Sequence, residues 1–161
     1  MWKVLALVTA MVGSNVARAE ATVPGQQAQK SGVRACQQTV EDVAKFVIRD
    51  NQHSSLATWN SKNPDARMFN AQVGIKYSDG NSVAVVSVAP TRSGKCDSSY
   101  TTVFAIDKSC ALARETNFKD WKFSTESAGM MVLKNEDGNV SKILLPSGSG
   151  CVAVTSEVVY Q

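Results

Sequence analysis

Hydrophobic and polar positions change period several times along this chain, and each change marks an element. Over residues 34–49, Cys36, Val40, Val43 and Val47 recur at helical spacing; Ala44 widens the stripe, while Gln37, Gln38, Glu41, Lys45 and Arg49 mostly face away. The spacing predicts an amphipathic helix with its cysteine on the buried face. From Ala71 the period drops to two, with Ala71, Val73, Ile75 and Tyr77 alternating against Gln72, Gly74 and Lys76, which predicts a half-buried strand. Asp79-Gly80 suits a tight hairpin because glycine tolerates positive φ, and the valine-rich residues 82–89 read as the return strand. Pro90 ends it, having no N–H for a ladder. Residues 100–106 form a third strand; residues 130–134 and 140–145 flank Asp137-Gly138 as a second hairpin closed by Pro146; residues 152–160 form the last strand.

The two halves share one order of markers. In the first these are Cys36, Trp59, Asp79-Gly80-Asn81, Pro90 and Ser93-Gly94-Lys95-Cys96; in the second, Cys110, Trp121, Asp137-Gly138-Asn139, Pro146 and Ser149-Gly150-Cys151. Such an order is what a duplicated αβββ unit would leave, and equally what recurring hairpin turns in a β-rich domain would leave. From the cysteine to the Asp-Gly turn is 43 residues in the first half and 27 in the second, so the polar stretch of residues 50–67 is largely the excess.

The ends of the chain set its compartment. A basic start (Met1 to Lys3), an apolar run over residues 4–12 and the small-residue pattern Ala17-Arg18-Ala19 read as a signal peptide over residues 1–19, too short to span a membrane. Residues 20–32, glutamine-rich with Pro24, Gly25 and Gly32, show no period and read as a flexible tether, leaving residues 33–161 as one domain. Removing Lys3 and Arg18 with the leader leaves fifteen basic against fourteen acidic residues. The whole-chain formal charge of +3 is therefore no signal for nucleic acid or an anionic membrane.

Cys36, Cys96, Cys110 and Cys151 are even in number and form no C-x-x-C pair, which in an oxidising compartment reads as two disulfides rather than a metal site. Cys96 and Cys110 flank opposite ends of the 100–106 strand, too far apart to join. Two connectivities remain, and the repeated order favours Cys36–Cys96 with Cys110–Cys151.

Candidate chemistry is sparse. His53 is the one histidine, so any Ser-His or Cys-His mechanism would need it, beside Ser54 or Ser55; the alternative is a solvated loop histidine. Ser147-Gly148-Ser149-Gly150 has neither the G-x-S-x-G spacing nor a following helix, and reads as a flexible connection. Glu115 with Asp120, or Glu126 with Glu136, would serve a glycosidase-like hydrolysis only at a particular separation. The long stretch 50–67 is the most informative feature, because connections of that length tend to carry function. Trp59 and Arg67 within it are residue types enriched at interface hot spots, and with His53 they form the candidate binding set; the alternative is a Trp59 anchored in the core.

These readings define an α+β domain: an antiparallel sheet of about six strands with two helical segments on one face and two disulfides. Its leading function is that of an exported, periplasmic or secreted, non-enzymatic binding protein acting through protein contacts, such as an inhibitor or immunity-type partner of an envelope enzyme, or a component of an envelope assembly. A carboxylate-based hydrolase and a small-ligand carrier are the alternatives. No cofactor, metal, nucleic acid or membrane insertion is expected.

Overall fold

A computed structural model describes residues 21–161. The expected signal peptide lies outside the described residues. The expected tether, by contrast, contains a helix, α1 (Val23–Ser31). Thr22 caps it by accepting a hydrogen bond from the Gly25 N–H at 3.1 Å, Pro24 sits in its first turn, and Gly32 closes it at φ +89°, where a glycine is favoured. Its buried residues are only Pro24, Gly25 and Ala28, so tertiary contact rather than amphipathic pattern holds it.

The predicted first helix is α2 (Gln37–Ile48), burying Val40, Ala44, Val47 and Ile48. Glu41, expected to face away, is buried as well, and Phe46 is exposed. There follow β1 (Gln52–Thr58), a single 3₁₀ turn (Pro64–Ala66), β2 (Phe69–Tyr77), β3 (Gly80–Pro90) and β4 (Cys96–Ile106). The second half holds α3 (Cys110–Asn117), β5 (Lys122–Ser127), β6 (Met130–Lys134), β7 (Ser141–Ser147) and β8 (Gly150–Val159). The sheet thus has eight strands rather than six, and there are three helices rather than two. Two of the strands, β1 and β5, are the outermost and bury too little to show a clear period. Pro146 lies inside β7 instead of closing it.

All pairings are antiparallel, in the order β1-β2-β3-β4-β8-β7-β6-β5. Each half is a four-stranded meander, and the two meet through their last strands. Pro90 pairs with Cys96 and Pro146 with Cys151, so the halves match in register as well as in order. A shift that carries Cys96 onto Cys151 carries Thr101 onto Ser156, and these two are each other's ladder partners, with hydroxyls 3.1 Å apart. The sheet therefore has an approximate two-fold axis through that pair, and the repeated unit is a helix plus four strands. Trp59 follows β1 whereas Trp121 precedes β5, so the tryptophans are not equivalents.

The helices lie on one face. Row by row, Ser82, Phe104, Ala153 and Leu144 stand opposite one another on that face. One core cluster packs α1 and α2 on β2, β3 and β4 around Phe69, Val73, Ile75 and Val86; the other packs α3 on β6, β7 and β8 around Leu133 and Leu144. Each cluster has its own disulfide, Cys36–Cys96 (Cα–Cα 5.8 Å) and Cys110–Cys151 (4.9 Å), which ties the start of a helix to the start of its half's last strand. These are the favoured pairs. Bridges of this kind belong to a protein that folds in an oxidising compartment. Among the described residues no helix is long and apolar enough to cross a membrane.

Candidate functional site

Seven of the eighteen residues of the expected loop 50–67 form the edge strand β1; the true insertion relative to the second half is residues 59–68, opposite a two-residue turn at Ala128-Gly129. The insertion is pinned rather than loose. Asn60 Oδ1 accepts from the N–H groups of Lys62 and Asn63, and Asp65 Oδ1 accepts from those of Arg34 (2.7 Å) and Ala35 (2.6 Å). Those two backbone donors hold the Asp65 carboxyl below its ordinary range.

β1 and β5 manage their free edges differently. β5 is interrupted by a register shift between Phe123 and Thr125 and carries Lys122 and Glu126, devices that discourage further pairing. β1 runs in unbroken register with β2 and contains no Asp, Glu, Lys or Arg. Beside it, α1 leaves a groove of about 370 Å³ lined by Gln27, Lys30, Ser55, Leu56 and Trp59. Leu56 is 76% exposed and Trp59 43%, so Trp59 is not a core anchor. Gln27 Nε2 donates to the Ser55 carbonyl at 3.0 Å, which marks Ser55 as turning its backbone groups outward; Gln27 Oε1 and Ser55 Oγ, both buried, have no partner.

The three candidate binding residues do not converge. Trp59 lines the groove; Arg67 is exposed beyond the 3₁₀ turn; His53 sits at the far end of β1, facing the helices. The histidine is neither a loop residue nor a free base. Its Nε2 accepts the Val23 N–H at 3.2 Å, which requires a lone pair there and places the proton on Nδ1, 3.0 Å from the Asn51 carbonyl. Both nitrogens are thereby used in holding α1. Leu56 completes the groove and was not among the candidates; its signal was its isolation as a large aliphatic residue in a polar stretch. Glu115, Asp120, Glu126 and Glu136 are all exposed, and Ser147 to Gly150 form a tight β7–β8 hairpin turn.

A second unusual feature lies beneath α3. Lys142, in β7, is 7% exposed, with Nζ 4.3 Å from the Trp121 ring and 4.6 Å from that of Phe118, and it donates to Thr155 Oγ1. Burial pushes its pKa down to about 8 from 10.5. At neutral pH the fold bears a buried ammonium that no carboxylate pairs with among the described residues. Lys142→Met is expected to raise unfolding stability at pH 7 by roughly 1–3 kcal/mol. Between pH 8 and 10.5 the unfolded chain binds the extra proton, so wild-type stability rises and the advantage of the variant shrinks. Urea unfolding at pH 7 and pH 10 checks this; a variant no more stable at pH 7 would show that the two rings and Thr155 compensate the charge in full.

The fold and this edge define a small α+β domain with two disulfides and one chemically open sheet edge. The chain matches no model of a known protein family, no curated protein and no solved structure.

Proposed function

We propose that this chain is an exported binding protein that acts through protein contacts, taking an extended segment of its partner along the outer edge of β1. The observation that carries this reading is the contrast between the two sheet edges: β5 is bulged and charged, while β1 is regular, uncharged and bordered by exposed Leu56 and Trp59. An added strand would pair with the outward backbone groups of β1, displacing Gln27 Nε2 from the Ser55 carbonyl; on one side its side chains would meet Leu56, and on the other the groove against α1 that Trp59 borders. Supporting it, two of the three buried side-chain polar atoms without a partner among the described residues, Gln27 Oε1 and Ser55 Oγ, border the same edge. Envelope-enzyme inhibitors and immunity-type partners work by such contacts, and the two bridges suit a protein exported to that compartment.

Quantitative capture from the envelope extract of the source, with wild-type protein, Trp59→Ala and Leu56→Asp, tests the reading. One partner retained by the wild type is expected to bind each variant about tenfold more weakly, as for a hot-spot contact. Equal retention by all three proteins would remove the edge of β1 from consideration.

A further inference from the structure

On the helix face, between α2 and the junction of β4 with β8, lies a groove of about 280 Å³ remote from β1. Its apolar wall is the Phe46 ring, 59% exposed, tilted at 53° against Tyr100 with centroids 5.2 Å apart. Two carboxylates line it: Asp42, which accepts from the Gln38 amide at 2.7 Å, and Glu157, directly across the ladder from Tyr100, which accepts from the Asn139 amide at 3.3 Å. No basic side chain lines the groove, and neither carboxylate has a cation within 4.0 Å among the described residues. Burial, and after it the facing Glu157, pushes the Tyr100 phenol above its ordinary range, so it stays a neutral ring and hydroxyl.

The other half of the repeat shows an ammonium held by aromatic rings on this fold. The shift that carries Pro90 onto Pro146 carries Val86 onto Lys142, and the shift that carries Cys96 onto Cys151 carries Tyr100 onto Thr155; Val86 pairs with Tyr100 as part of one ladder, just as Lys142 pairs with Thr155 in the other. In the second half the chain's own ammonium therefore sits against an aromatic pair, Phe118 and Trp121. In the first half Val86, fully buried and outside this groove, stands in the lysine's place, and Phe46 with Tyr100 form a separate aromatic pair beside Asp42 and Glu157.

We propose that the groove between α2 and the β4–β8 junction binds an organic cation, an aliphatic ammonium or guanidinium, with its charge between Asp42 and Glu157 and its stem on Phe46 and Tyr100. Ring faces attract such cations, and partial enclosure strengthens the ion pairs. The same head group occurs on free amines and on lysine or arginine side chains of a peptide, and the two sources are separated by the test.

Amide chemical shifts of the full protein are followed while cadaverine, agmatine or a capped Gly-Lys-Gly peptide is added, with 1-pentanol as the neutral control. Saturable shifts centred on Phe46, Tyr100 and Glu157 are expected, with dissociation constants of about 1 mM or tighter. Glu157→Gln and Phe46→Leu, conservative changes at accessible positions, are each expected to weaken binding about tenfold, and added salt to weaken it further. Tighter binding of the free amines would assign a small-molecule ligand, and tighter binding of the peptide a basic side chain; either supports the site. Absence of saturation, equal shifts with 1-pentanol, or undiminished binding by folded Glu157→Gln would overturn it. None of these readouts involves β1, so this site can fail while the edge-binding reading stands.

Discussion

Replacing Cys36 and Cys96 together by alanine is expected to lower unfolding stability by about 4 kcal/mol. The bridge spans 60 residues of sequence, and cross-linking a loop of that size removes a large share of the unfolded chain's freedom. Both cysteines are buried in the larger core cluster, so alanine leaves a small gap but no stranded polar group. Domains of this size have only about 5–15 kcal/mol in total, so the variant should sit close to its unfolding threshold at 37 °C. Guanidinium unfolding reads the change as a lower midpoint with a steeper slope, because the uncrossed chain exposes more surface. A loss below about 1 kcal/mol would mean that the reduced, unfolded chain is already held compact by other contacts. The second bridge spans 41 residues, a shorter loop, and its removal should cost slightly less.

Glu41→Ala is expected to release α1, at a local cost of about 2–3 kcal/mol. The buried carboxylate accepts from the Thr22 N–H at 3.1 and 3.2 Å and from the Thr22 hydroxyl at 2.7 Å, and pairs with Lys45 Nζ at 3.2 Å. It lies so close to α1 that a Cβ on Gly25 would run into the Glu41 carboxylate, which would have to give up its Thr22 bonds to make room, so Gly25→Ala should weaken the same clamp. Removing the carboxylate strands the Thr22 donors in a buried place, since His53 serves only the next N–H, that of Val23. Amide exchange in α1 should accelerate roughly 30-fold or more while the sheet stays protected. Burial by itself raises the Glu41 pKa, but the hydrogen bonds from Thr22 and the charge of Lys45 outweigh it and leave the value below 4.5. The folded pKa being depressed, the clamp stabilises fully above pH 4.5 and is lost as pH falls through the folded value. The protection of α1 amides in the wild type, taken relative to intrinsic exchange at each pH, should fall on acidification, and Glu41→Ala should abolish that dependence. Unchanged exchange in the variant at neutral pH would show that α1 is held without the clamp.

Residues that bury a regular face were legible: the α2 stripe, the alternation of β2 and the valines of β3 each meet a core on one side. Elements held by neighbours were not. α1 presents Val-Pro-Gly-Gln-Gln-Ala-Gln-Lys-Ser, with no stripe, and is helical because Glu41 and His53 accept its first N–H groups. β5 is exposed at every position and β1 at alternate ones, with only His53, Ser55 and Ala57 turned inward, so neither announces a period. Of the groove at the sheet edge, Trp59 was legible as a residue type, but its juxtaposition with Leu56, Ser55 and Gln27 required β1 to be a strand and α1 to lie beside it.

By itself, then, the order of residues determined the α+β class, narrowed the four cysteines to two connectivities with Cys36–Cys96 and Cys110–Cys151 favoured, and carried the markers that a duplication would leave, because spacing and turn chemistry act over short distances along the chain. Only the tertiary structure decided that β4 and β8 join the halves about a two-fold axis, that Lys142 lies buried under Trp121, and that Phe46, Tyr100, Asp42 and Glu157 share one groove. Those relations arise from ladder register between distant segments, where a displacement of one residue would turn each side chain to the opposite face.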